Sequence, residues 1–323
     1  METIVLFNSL LLIVALAADA FIGDPPTWPH MVRLMGKAVE SLETVLRKAL
    51  PHALRLAGCV LVVTVVGGSA LAAWGLLALA QALWTPLGWL LAALLSWQCL
   101  AAGQLWREAR AVARPLEENN LDLARQRLAM IVGRDTAALD RAGVRRALIE
   151  TMAENLNDGF IAPLFYLTIF GPIGAVAYKA VNTLDSMVGY KNESYAQLGW
   201  CAARLDDVAG LLPARFSALL IILAARLVGL DTAGAWRAAR RDHAAHTSPN
   251  AGWPEAACAG ALGIRLGGPS YYGGQLKEKP WLNQPGREAG RFDVDAAGRL
   301  LIMACALAGL LALAGTALLW GAA

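Results

Sequence analysis

Six apolar stretches, each close to the length that crosses a bilayer, punctuate this 323-residue chain and restrict it more than any other feature. A helix in hydrocarbon needs about 20 mostly apolar residues, because no water is present to satisfy its backbone N–H and C=O groups. The stretches are 4–22, 56–81, 85–105, 159–181, 208–229 and 300–320. Charged residues make up only 16% of the chain, against roughly 25% in soluble domains. Most of the apolar surface must face lipid, and the expected fold class is an all-α, polytopic integral membrane helical bundle. Gly23, Asp24 and the Pro25-Pro26 pair end the first stretch, and Thr85-Pro86 leaves room only for a hairpin tip between the second and third. Two stretches are interrupted: 159–181 by Pro163 and Gly171-Pro172, and 208–229 by Pro213.

Between the spans lie polar segments at 23–55, 106–158, 182–207 and 230–299, none repetitive and all with the composition of folded material. The first carries Arg33, Lys37, Arg47, Lys48 and Arg55, the second nine arginines from Arg107 to Arg146, and the last is also rich in Arg and Lys. Basic loops stay cytoplasmic. Six spans satisfy that rule but put 182–207 on the opposite side. The broken spans flanking it offer an alternative, in which they dip inward and carry its polar residues to a shared site. A net charge of +3, with no basic run interleaved with aromatics, excludes nucleic acid as a partner. Five scattered cysteines without a CxxC pair read as small apolar residues. With no basic segment before it and no clear cleavage site after it, the first stretch reads as a retained span.

Four polar motifs sit at span ends. Glu150, Glu154, Asn157 and Asp158 in IETMAENLNDGF share one helical face, with Asn155 beside them. Carboxylates grouped at a membrane boundary suit Mg²⁺, which takes oxygen ligands and shares itself with phosphates. The same stripe also fits a solvated face paired with Arg145 and Arg146. Tyr178, Asn182, Asp185 and Gly189 repeat the spacing at the end of an apolar span, where an ionisable group marks a site; Lys179 and Lys191 are close by. Arg204, Asp206 and Asp207 precede the next span, followed by Arg215. Paired aspartates invite a metal, and equally serve as a helix N-terminal cap. After the first span, Asp24, Trp28, His30 and Arg33 fit an interfacial turn as well as a site.

The segment 243–283 is too rich in Gly and Pro for regular helix and reads as a loop that something must order. Amides of Gly267, Gly268, Gly273 and Gly274 could cradle phosphate, with Lys277 and Lys279 supplying charge, or the Gly-Pro turns equally serve only to fold the loop. A P-loop is excluded, for GxxxxGK[ST] is missing, and His243 and His246 lack zinc-protease spacing.

Taken together, the strings GDPPTWPHMVRLMG, ETMAENLNDGFIAPLFY, KAVNTLDSMVGYKNESYAQLGWCAARLDDVAGLLPAR and HTSPNAGWPEAACAGALGIRLGGPSYYGG closely resemble the CbiB/CobD family of adenosylcobinamide-phosphate synthases. The likeness runs in order over nearly the whole chain, with Met31 standing where the family favours proline. It implies one membrane-embedded catalytic domain over 1–323 in the inner membrane, its active site facing the cytoplasm. The implied reaction is ATP- and Mg²⁺-dependent amide formation between cobyric acid and aminopropanol or its O-phosphate, passing through an acyl phosphate.

On that reading Glu150, Glu154, Asp158, Asp206 and Asp207 serve Mg²⁺ and proton transfer, while Lys191, Arg204, Arg215 and Lys277 meet phosphates. Asp185 and His246 join the catalytic set; Asp24, His30, Arg33, Asn155, Asn182 and Asn250 orient substrates. Trp253, Tyr271 and Tyr272 offer flat surfaces to the corrin ring. Small residues such as Gly67-Gly68-Ser69 allow close helix contacts, within one chain, in a homo-oligomer or with other late cobalamin-pathway membrane enzymes. The rival class is a membrane transporter of a corrinoid or phosphorylated compound, since broken spans with internal charges suit transporters. A prenyltransferase would need two Asp-rich motifs, and only LDD approaches one.

Overall fold

A computed structural model describes residues 2–25 and 27–321, with side chains described for 7–25 and 27–319. Pro26, half of the proline pair expected to stop the first span, lies outside the described residues. Among the described residues four helical stretches are long and apolar enough to cross a membrane: Leu54–Leu83, Thr85–Glu117, Arg141–Val188 and Asp293–Leu319. A fifth candidate is the pair Trp200–Ala209 and Leu211–Leu227, bent by 46°, and the first helix adds a shorter apolar run, Phe7–Phe21. The chain is an all-α polytopic membrane protein, and it divides into two compact units, each assembled from separate stretches of sequence.

The first unit takes residues 1–101, 162–210 and 309–323. It holds α1 (Glu2–Phe21), α2 (Met31–Ala49), α3 (Leu54–Leu83), α4 (Thr85–Cys99), α8 (Ala162–Val188) and α9 (Trp200–Ala209). Only Trp84 separates α3 from α4, and the two pack as the expected hairpin, with Pro86 tolerated in the first turn of α4. Gly171 interrupts α8 with φ +66 and ψ −165, values at which glycine alone is unstrained, so the break falls there and Pro172 follows it. Pro163 causes no break: the helical stretch Arg141–Val188 runs through it directly after a π-helical turn, Asn157–Ile161, where the backbone ladder has already shifted register.

The second unit takes residues 102–161 and 211–308. It holds α5 (Ala102–Glu117), α6 (Leu121–Ala129), α7 (Arg141–Leu156), a π-helical turn Asn157–Ile161, α10 (Leu211–Leu227), α11 (Thr232–Asp242) and α12 (Gly252–Leu262). The expected interruption at Pro213 is displaced: the bend falls before Leu211, and Pro213 occupies the first turn of α10.

Segment 243–283 is also more regular than its composition suggests. Once Ser248 has turned the chain, the residues from Gly252 to Leu262 are almost all small or apolar, and burial outweighs the weak helix propensity of glycine. Gly260 faces Gly234 so closely that a Cβ on it would lie 2.2 Å from the Gly234 carbonyl oxygen, which is how α11 and α12 meet backbone to backbone. Gly263, at φ +64, ends α12 in the left-handed cap, and the Ile264 amide bonds back to the Ala259 carbonyl. Two short antiparallel ribbons follow: β1 (Leu266–Gly267) with β4 (Trp281–Leu282), and β2 (Ser270–Tyr272) with β3 (Gln275–Lys277). The last helix, α13 (Asp293–Gly321), closes the chain.

Candidate active site

The second unit gathers the densest set of buried charges. Glu150, buried on α7, accepts from Arg134 Nη2 through Oε2 and from the Gly267 amide through Oε1 at 2.6 Å. Arg146, one helical turn earlier, brings its Nε to 4.0 Å of the same Oε1. Buried charges persist only when paired and hydrogen-bonded, and here β1 and the 130–140 loop supply those partners.

Below Glu150 the helix changes pitch. The π-helical turn carries one more residue than an α-turn would, so Asp158 leaves the simple stripe that the spacing suggested. Buried Asn157 holds this turn: it accepts from Ser217 Oγ on α10 at 2.8 Å and donates to Asp158 Oδ1 at 2.7 Å. Glu154 is half-buried, with Asp158 and Glu150 as charged neighbours. Exposed Asn155 turns its amide nitrogen back onto Thr151 of its own helix.

Opposite α7 stands α12, with Glu255 almost completely buried. The HTSPN turn leads into it. Ser248 Oγ accepts from the amides of Asn250 and Ala251, satisfying donors at the helix start, and the Ser248 amide donates to His246 Nδ1 at 3.0 Å. The same Nδ1 lies 3.2 Å from the Ser248 carbonyl oxygen, so the turn grips the ring from one side, and Nε2 stands 3.6 Å from Glu255 Oε1. Burial pushes the Glu255 carboxyl well above the usual carboxylate range, and the charges of Glu154 and Glu150 push it further, against Arg134 and Lys279. Burial likewise lowers the His246 imidazole below its ordinary value.

Around this cluster lie the aromatic residues. Trp253, in the first turn of α12, is stacked by the His243 ring at 3.8 Å and covered by the Arg215 guanidinium at 5.1 Å. Arg215 also donates to the Leu211 carbonyl at 2.6 Å. Tyr272 accepts from Lys279 Nζ at 2.5 Å and has Lys277 Nζ over its ring at 5.1 Å, while Tyr271 is exposed. Asn250 is buried at the start of the same turn.

Of the two readings of the glycine-rich stretch, the amides follow the one in which they fold the loop. Gly267 donates to Glu150, Gly268 to the Pro280 carbonyl, and Gly273 and Gly274 both donate to the Asp135 carboxylate, at 3.1 and 2.7 Å. The chain consumes these donors itself.

The remaining expected residues belong to the first unit. Asp24 Oδ1 stands 3.6 Å from His30 Nε2, and His30 Nδ1 caps α2 by accepting from the Val32 amide. Arg33 donates to the carbonyls of Pro25 and Trp28. Asn182 and Asp185 are half-buried on α8, and Lys191 is exposed just after it. Asp206 and Asp207 lie in the last turn of α9, where Asp207 pairs with Arg204 at 3.6 Å. They are not the N-terminal cap that their place before an apolar run suggested.

Among the described residues no group of three or more His, Cys, Asp or Glu side chains could hold a metal ion. Mg²⁺ commonly takes one or two carboxylates and completes its shell with water and substrate phosphate, a demand that the neighbouring Glu154 and Asp158 meet within one unit. Asp206 and Asp207 fall in the other unit.

Sequence reasoning missed Arg134, Glu255 and Ser217. Glu255 had a legible signal, a single carboxylate entering a run of small apolar residues, which promises a buried acid. Arg134 and Ser217 had none, since each is a lone polar residue whose partner is remote in sequence.

A helical membrane protein that keeps acids, a guanidinium and a histidine together in its buried interior has the makings of an enzyme rather than a passive structural protein. The CobD/CbiB protein family model matches residues 12–301. The chain is 50% identical over 297 residues to the cobalamin biosynthesis protein CobD of Klebsiella pneumoniae, covering 91% of this chain and 93% of that one. It is 47% identical to CbiB of Salmonella choleraesuis over the same shares, and 48% identical to CobD of Pelobacter propionicus over 85% and 84%. The chain belongs to the CobD/CbiB family, and this membership supports a role in cobalamin biosynthesis. No solved structure matches it.

Proposed function

We propose that this protein is an amide-forming ligase that joins a carboxylate of cobyric acid to aminopropanol O-phosphate, or to aminopropanol, with ATP and Mg²⁺. Family membership over residues 12–301 supports the pathway, and the buried cluster of Glu150, Glu154, Glu255, Arg134 and His246 is the observation that favours chemistry over transport. A carboxylate is a poor acyl donor, so ATP would first phosphorylate it and the amine would then displace phosphate from the acyl phosphate.

Glu154 and Asp158 are the proposed Mg²⁺ ligands, and the ion would neutralise charge on the nucleotide phosphates. Arg134, fixed on Glu150, and Lys279, fixed on Tyr272, hold positive charge beside the acids without a late reorganisation. Arg215 and Lys277 would meet phosphate, and Trp253, Tyr271 and Tyr272 the corrin face. From the first unit, Asp24, His30, Arg33, Asn182, Asp185, Lys191, Arg204, Asp206 and Asp207 remain proposed substrate or metal contacts. The protein would sit in the inner membrane with this chemistry facing the cytoplasm, where ATP is found.

The test is purified protein in detergent with cobyric acid, aminopropanol phosphate, Mg²⁺ and ATP, followed by the mass of the corrinoid. Amide product is expected. Corrinoid that crosses a vesicle wall chemically unchanged, with no product in any assay, would sink the ligase in favour of a transporter.

A further inference from the structure

A second charged cluster of the same unit is built on Trp281 of β4. The indole lies against the bare backbone of Gly268, where a Cβ would stand 2.4 Å from the ring. Two guanidiniums lie over that ring, Arg146 of α7 at 4.9 Å from its centre and Arg265, just before β1, at 4.5 Å. Like charges gathered on one ring repel, and an anion between them offsets the repulsion. Glu288 supplies it: Oε1 accepts from Arg265 Nε at 2.9 Å and from Arg265 Nη2, while Oε2 accepts from Arg146 Nη1 at 3.5 Å.

A carboxylate gripped by two guanidiniums takes the bonds that a phosphoryl group would take, since stacking uses the flat faces of the arginines and leaves their N–H edges for an anion. One donor is still unsatisfied. Arg146 Nε is buried, makes no hydrogen bond among the described residues, and stands 4.0 Å from a Glu150 carboxylate already held by Arg134 and the Gly267 amide. Across these contacts three guanidiniums share two carboxylates, which leaves positive charge for a dianion. Glu288 can yield its place. The backbone beside it is pinned, with the Arg265 amide donating to the Arg287 carbonyl at 2.9 Å and the Arg287 amide to the Gly263 carbonyl at 3.2 Å. Its side chain, however, is 42% exposed and can turn into water while the arginines stay on the indole, so the site opens directly to solvent.

We propose that Arg146 and Arg265, laid on Trp281, form a binding site for a phosphoryl group, and that Glu288 fills it as an internal anion until a phosphorylated substrate displaces it. The site itself is independent of the reaction; naming its occupant as aminopropanol phosphate or ATP rests on the ligase reading. In either case the arginines bind and orient, and Arg146 joins the bound phosphate to the Glu150 cluster through one side chain.

Calorimetric titration of methyl phosphate into the purified protein in detergent, without nucleotide or corrinoid, tests the site apart from any reaction. Glu288→Gln is expected to bind about tenfold more tightly than the parent, because the competing carboxylate is gone. Adding Arg265→Gln to Glu288→Gln should weaken binding about 30-fold, and adding Arg265→Lys, which keeps the charge but not the planar fork, about fivefold. Glu288→Gln protein that binds no more tightly than the parent, or binding undiminished by Arg265→Gln, overturns the proposal; should that double variant not fold, undiminished binding with Arg265→Lys in its place does so. Steady-state kinetics then names the occupant. A KM for aminopropanol phosphate raised about tenfold in Arg265→Gln, with that for ATP unchanged, assigns the site to the phosphoryl group of the amine, and the reverse assigns it to the nucleotide. If neither KM moves, no substrate of the reaction uses the site and that half of the proposal falls. A parent protein that makes no amide overturns the ligase reading and leaves the binding result standing.

Discussion

The turn after α1 and the cluster between α7 and α12 both combine His, Arg and carboxylate, yet they differ in what their backbone amides hold. In the first unit the amides of Val32 and Met31 donate to the neutral acceptors His30 and Gln98, while Arg33, Trp97 Nε1 and Gln98 donate to the carbonyls of Pro25, Trp28, Gly23 and Pro29. In the second unit the amides of Gly267, Gly273 and Gly274 are spent on the carboxylates of Glu150 and Asp135. Bonds to neutral acceptors hold a shape. Amides spent on carboxylates also hold charges in place.

The largest effect that would break this comparison is at Glu150. Glu150→Ala leaves Arg134 buried without its counter-charge, and should cost about 3–5 kcal/mol in the unfolding of detergent-solubilised protein. Arg134→Met added to Glu150→Leu should recover part of that stability but no activity, which separates the cluster's structural share from its chemical one. Next comes packing. Gly260→Leu pushes α12 off α11 and should cost about 1–3 kcal/mol, read from the same unfolding curves.

Arg33→Gln should lower stability by about 1 kcal/mol, and Arg33→Lys by less, because a single nitrogen, Nη2, donates to both carbonyls and an ammonium can do the same. Full stability with lost activity in Arg33→Lys would make the proposed substrate contact at Arg33 its larger role.

The smallest effects are in pH. Glu255 binds its proton more tightly folded than unfolded, so the stability it contributes is complete below the ordinary carboxylate range and is lost as pH rises through its raised value. Glu255→Gln should therefore unfold at an equal or higher temperature than the parent at pH 8, with the gap closing toward pH 4. Asp242 has the opposite sign. Burial raises its carboxyl, but bonds from Arg241 and the Asn283 amide outweigh that and leave it below the ordinary value. Its contribution is present above the ordinary carboxylate range and is lost as pH falls through the lowered value, and Asp242→Asn should flatten that acid limb.

The spans were legible because hydrocarbon tolerates only one kind of backbone, so length and apolarity suffice to find them. Helical spacing likewise placed Glu150 and Glu154 on one face, and the family strings located the HTSPN turn. Local readings failed where the deciding partner was remote. Pro213 looked like a break until the first turn of α10 absorbed it, and α12 looked like a loop until its contact with α11 repaid a glycine-rich helix. The glycines at 267, 268, 273 and 274 looked like a phosphate cradle until Glu150, Asp135 and Pro280 took their amides.

Sequence alone thus determined that the chain crosses a membrane and which family it resembles, because those properties are written in composition and short-range order. Only the tertiary structure decided that Glu255 faces His246 and that Arg134 guards Glu150. A charge buried away from water is fixed by whatever reaches it through space, and no spacing along the chain records that distance.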